Sequence, residues 1–105
     1  MNIGTYTLGA RLDSLNYLEA QDALIDIIEK SSDVVLDMTD CHYVSSAGLR
    51  VLLLAKKTTA AQGIKLYLVG VNAEVKDVMD VTGFTSFFDI YETMEDCMKA
   101  IEASN

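Results

Sequence analysis

Val34-Val35-Leu36 is an apolar run with no polar residue inside it, and both valines are β-branched. A strand of this kind points apolar side chains to both faces of its sheet, so both faces must be covered. That requirement selects layered architectures with helices on a largely parallel sheet, and the rest of the chain supplies the helices. Residues 3–8 (I-G-T-Y-T-L) alternate weakly and read as an edge strand. Asp13 or Ser14 can start a helix whose apolar stripe is Leu15, Leu18, Leu24, Ile27 and Ile28, ending near Lys30. Ser31-Ser32-Asp33 breaks the pattern before the central strand. A second helix is expected from Ser45 or Ser46 to Ala61, closed by Gly63. Residues 64–69 form the next strand, and Asn72 caps a third helix that Gly83 stops. A short strand over 87–91 follows. Thr93 with Asp96 then opens a C-terminal helix. The order β-α-β-α-β-α-β-α predicts an α/β fold with a mixed, mostly parallel sheet of about four strands and about four helices.

At 105 residues the whole chain, 1–105, is expected to be one domain, and half of its residues are hydrophobic, enough for one packed core. It has no proline and no internal repeat, which argues against linkers and arrays. Cys41 and Cys97 fit neither a paired-cysteine motif nor a disulfide framework and read as buried thiols. The start, M-N-I-G-T-Y-T, lacks the pattern of a secretory leader, and the longest apolar run, 51–55, is too short to span a bilayer. A cytoplasmic location without membrane insertion is expected. The net charge is −8, and all 16 carboxylates fall within 13–40 or 74–102. Residues 41–73 contain none, but hold Arg50, Lys56, Lys57 and Lys65. An acidic chain is repelled by phosphate backbones, so direct nucleic-acid binding is not expected.

The acid-free stretch opens on Y-V-S-S-A-G-L-R, residues 43–50, expected at the carboxyl end of a central strand and the start of a helix. Functional groups gather at strand carboxyl ends in α/β sheets, and a helix N-terminus tolerates an anion. With 3.6 residues per turn, Ser46, Arg50, Leu53 and Lys57 share one line, flanked by Leu49 and Leu54. Gly48, Val51, Leu52, Ala55 and Thr59 lie opposite and should meet the sheet. The outer stripe reads as an interaction surface, and either serine alone could be a simple helix cap.

These motifs resemble the single-domain anti-sigma factor antagonists built on the STAS fold. The resemblance rests on G-A-R-L-D-S at 9–14, V-V-L-D-M-T-D at 34–40, Y-V-S-S-A-G-L-R-V-L-L at 43–53, T-G-F at 82–84 and F-F-D-I-Y at 87–91. It implies a STAS-type sheet and no catalytic activity of the chain itself. In that family the serine two residues before the Gly-Leu pair is phosphorylated by a partner that is both anti-sigma factor and serine kinase. Here that role falls on Ser46, with Ser45 the less favoured acceptor. The unphosphorylated antagonist binds the anti-sigma factor and frees a sigma factor, and a serine/threonine phosphatase resets it. The implied contact residues are Tyr43, Ser45, Ser46, Ala47, Gly48, Leu49, Arg50, Leu53 and Lys57. Two departures stand out. Ser45 occupies a position that is Asp in many members, and the N-terminal strand is shortened, which changes the sheet edge.

Other chemistry finds little support. His42 is the only histidine, without further ligands at a recognisable metal spacing, so neither a metal nor another cofactor is expected. A hydrolase would need a base to activate Ser46 and a nucleophile motif, and neither is present. Met79, Phe84, Phe87 and Phe88 read as core. A competing function is that of a constitutive STAS subunit of a lipid-transport ATPase complex, which has no need of a phosphorylatable serine. A monomer or weak homodimer is expected.

Overall fold

A computed structural model describes residues 2–104. Its elements are β1 (Ile3–Thr7), β2 (Arg11–Leu12), α1 (Tyr17–Lys30), β3 (Asp33–Asp37), β4 (Tyr43–Val44), α2 (Ser46–Ala61), β5 (Leu66–Val69), α3 (Ala73–Thr82), β6 (Asp89–Tyr91) and α4 (Met94–Ser104), with a 3-10 turn over Phe84–Phe87. The main sheet runs β1-β3-β5-β6 with every pairing parallel, and β2 and β4 form a separate two-residue parallel pair.

Val34, Val35 and Leu36 are all fully buried, and their alternation assigns the two faces. Val34 and Leu36, with Leu66 and Leu68 of β5, face a core shared with Leu24 and Ile28 of α1, Val51, Leu52 and Ala55 of α2, and Val75 and Met79 of α3. Val35, Tyr67 and Val69 face the other way, onto Cys97 and Ile101 of α4. Three helices therefore cover one face and a single helix the other. Each such aliphatic side chain contributes roughly 1.5–3 kcal/mol on burial. Both cysteines are free and buried, and burial pushes their thiols up, away from the reactive thiolate form.

Several boundaries follow local chemistry visible in the sequence. The Asn72 side chain accepts a hydrogen bond from Val75 N–H, Gly83 ends α3 at φ 77°, and Thr93 Oγ1 accepts from Asp96 N–H. The start of α1 differs from expectation. Instead of opening a helix, Asp13 closes a turn: its N–H donates to Asn16 Oδ1, its Oδ1 accepts from Leu15 N–H, and its carbonyl accepts from Tyr17 N–H. The helix begins only at Tyr17, and Leu15 and Leu18 are 93% and 56% exposed rather than part of the core stripe. The region 87–91 likewise divides, with Phe87 in the 3-10 turn and the strand starting at Asp89. Of the expected late core cluster, Met79 and Phe88 are buried, Phe84 packs partly against the core, and Phe87 is 49% exposed.

β1 is an edge strand. Ser32 N–H donates to Asn2 O and Leu8 N–H donates to Asp37 O, so the even-numbered residues of this strand direct their backbone groups toward β3. The N–H and C=O groups of Ile3, Thr5 and Thr7 point away from the sheet.

Candidate functional site: the N-terminus of α2

The β2–β4 pair sets Arg11 opposite Tyr43 and Leu12 opposite Val44, and Ser45 N–H then donates to Leu12 O at 2.9 Å. This anchors α2 where it starts. Gly48 makes the anchoring possible: a Cβ there would lie 2.5 Å from Leu12 O and 2.8 Å from Val44 Cγ1. Only glycine lets the first turn of α2 approach the β2 backbone this closely.

The two serines divide the work. Ser45 is extended (φ −80°, ψ 176°), half-buried, and its Oγ accepts from Gly48 N–H at 3.2 Å, so Ser45 is the N-cap. Ser46 is the first helical residue and is exposed, and its hydroxyl has no hydrogen-bond partner among the described residues. The first turn of α2 contains no acidic residue. Ser45→Ala is expected to remove the cap at a cost of about 1 kcal/mol, lowering Tm by roughly 5 °C in thermal denaturation, with Ser45→Asp restoring it.

Ser46, Arg50 and Lys57 are exposed along one line, with Leu53 half-buried beside them, as the helical spacing predicts. Leu54 is 37% exposed on the flank. Ala47, Gly48 and Leu49, expected in the contact set, lie inside. The buried arc of α2 extends to Leu49, which belongs to the core shared with α1. These residues set the position of the outer stripe rather than forming its surface.

The structure adds neighbours the sequence did not single out. The Arg11 guanidinium sits 4.5 Å from the centroid of the exposed Tyr43 ring while its Nε donates to Asp13 Oδ2 at 2.9 Å. That hydrogen bond, with the Leu15 N–H second, holds the Asp13 carboxyl below its ordinary range. Asn16 Nδ2 donates to Arg11 O, so the turn that presents Leu15 is tied at both ends and follows directly on the Leu12 carbonyl that anchors α2. The Asp13/Asn16 spacing was the available signal for this turn, since each side chain can bond the other's backbone neighbourhood. His42 stands apart, its Nδ1 3.2 Å from Asn72 Nδ2 and 3.7 Å from Glu74 Oε2. Among the described residues no group of three or more His, Cys, Asp or Glu is placed to hold a metal ion, and no helix is long and apolar enough to cross a membrane.

A helix-covered parallel sheet with an exposed serine on the first turn of a glycine-seated helix defines a small α/β module that presents that serine on its surface. The STAS domain model matches residues 1–97, and the chain belongs to the STAS domain family. A candidate anti-sigma factor antagonist of Bordetella bronchiseptica, BtrV, is 39% identical over 72 residues, 68% of this chain; the match spans 61% of that protein's length. Among solved structures, a candidate anti-sigma factor antagonist from Thermotoga maritima superposes with a TM-score of 0.84 at 22% identity, covering 93% of this chain and 87% of that one. The anti-sigma factor antagonist SpoIIAA in its unphosphorylated form gives a TM-score of 0.81 at 13% identity, covering 97% and 90%. The phosphorylated form gives 0.73 at 13% identity, covering 95% and 91%. At these identities the solved structures share the fold.

Proposed function

We propose that this protein is an anti-sigma factor antagonist working as a phosphorylation-controlled partner switch. With Ser46 unphosphorylated, the outer stripe of α2 binds an anti-sigma factor, which lets go of its sigma factor. The same partner, acting as a serine kinase, phosphorylates Ser46 and ends the complex, and a serine/threonine phosphatase resets it. The chain acts in the cytoplasm by binding, without catalysis of its own. The observation that carries this reading is the division of labour at 45–46: Ser45 is spent on capping, while Ser46 is exposed, free and at an acid-free helix start.

The physics of that position favours a switch. A phosphoryl group adds about −1.5 to −2 charge. The unpaired N–H groups and positive dipole end of α2 stabilise it there, with Arg50 one turn along the same line. The fold therefore tolerates the modification, and its cost falls on the interface, where the dianion must be stripped of water or meet like charge.

The test is intact-protein mass spectrometry with site mapping after incubation with ATP and an anti-sigma factor serine kinase from the same organism. A single phosphate on Ser46 is expected, absent in Ser46→Ala. Phosphate on Ser45 instead would refute the assignment. No phosphate, with a stable complex still forming, would replace the switch by a constitutive binding module such as a subunit of a lipid-transport ATPase complex.

A further inference from the structure

Edge strands are normally guarded by lysine, proline, a bulge or a covering element, because their free backbone groups will pair with any compatible strand. β1 carries none of these guards: its sequence is I-G-T-Y-T, and residues 1–10 contain no charged residue at all in a chain of net charge −8. Thr5 and Thr7 are exposed, and Ile3 and Tyr6 are half-buried.

We propose that β1 is a self-association edge, along which two copies of this chain pair antiparallel about a two-fold axis at Thr5 to join their sheets into one. The free groups fit this arrangement. Only Ile3, Thr5 and Thr7 direct N–H and C=O outward, and an axis at Thr5 pairs Thr5 with its own copy and Ile3 with the partner's Thr7, every one an outward-facing residue. On the α4 side of the sheet the seam then brings together only β-branched side chains, which suit cross-strand contact. On the opposite side Tyr6 comes across from the partner's Gly4, which adds no side chain to the seam. Gly4 has no side chain of its own to offer, because Ser31 and Ile27 of the α1 end occupy the space a Cβ would take.

A second copy fits better than an unrelated strand. Two acidic molecules repel over much of their surface, whereas residues 1–10, which hold the seam strand, bring no charged side chain to it. A strand-sized seam buries far less than the roughly 1,600 Å² of a standard interface, so the association is weak and concentration-dependent. It also leaves both α2 faces open, since α1 lies between the β1 edge and α2.

Sedimentation velocity on the full chain, from low micromolar to millimolar, tests this. The weight-average mass should rise from 11.5 kDa toward twice that value. Thr5→Pro should abolish the rise while keeping the far-ultraviolet circular dichroism of the wild type, because the N–H it removes points away from β3. A wild-type mass that stays at the monomer value throughout overturns the proposal, and so does a dimer indifferent to Thr5→Pro. Should Thr5→Pro fail to fold, amide exchange on the wild type decides. Ile3, Thr5 and Thr7 amides becoming protected as concentration rises supports the seam, and their remaining unprotected at millimolar concentration refutes it.

Discussion

Ser46→Glu lowers affinity for the cognate anti-sigma factor about a hundredfold, while Ser46→Ala stays within about threefold of wild type; these are the expected results of calorimetric titration. The glutamate sits on the first turn of α2, where the helix dipole welcomes a negative charge by roughly 0.3–1 kcal/mol, so its Tm should equal or slightly exceed that of wild type. The loss of about 3 kcal/mol in binding therefore arises in the complex, from a carboxylate desolvated at a surface that accepted a neutral hydroxyl. The phosphoprotein should lose more, since its charge is nearly double. Raised salt should recover part of the loss if like-charge repulsion dominates, and little of it if desolvation does. Equal affinity of wild type and Ser46→Glu would remove Ser46 from the interface.

Gly48→Val is expected to cost about 3 kcal/mol of folding stability, with Tm falling by about 15 °C. The new Cβ would stand 2.5 Å from the Leu12 carbonyl oxygen, 2.8 Å from Val44 Cγ1 and 3.0 Å from Leu12 Cγ. The first of these is backbone, held by its own hydrogen bond from Ser45 N–H, so it cannot step aside like a flexible side chain. Either α2 retreats and the Ser45–Leu12 bond breaks, or the β2–β4 pair distorts. Urea denaturation measures the cost, and Gly48→Ala checks its origin. In an open helix alanine is better than glycine by about 1 kcal/mol. A Gly48→Ala protein more stable than wild type would mean that the close approach of α2 to Leu12 does not hold.

Where the sequence was informative, it carried a local chemical reason. Val34-Val35-Leu36 could only be a strand covered on both sides, and Asn72, Gly83 and Thr93 mark helix ends through hydrogen bonds and a backbone conformation that need no tertiary context. The outer line of α2 follows from helical geometry alone. The failures have separate sources. Strands of two residues have no period to detect, so β2 and β4 were not foreseen, although they seat the site. Leu15 and Leu18 extend the spacing of the α1 stripe, but the turn closed by Asp13 and Asn16 carries them away from the core. Leu49 lies at the margin of the inner arc of α2, and helical spacing alone does not reveal that it is buried in the main core cluster.

Because the cap and the proposed acceptor are separate residues, control and architecture are inherited independently. On the proposed reading, a single codon change at Ser46 would yield a form that binds permanently or one that never binds, and neither would pay through misfolding, because the cap is Ser45. Ser45 is bound to the scaffold, but Ser46 is not. Regulation of the proposed kind could therefore be lost, fixed or regained over evolutionary time while the domain beneath it persists.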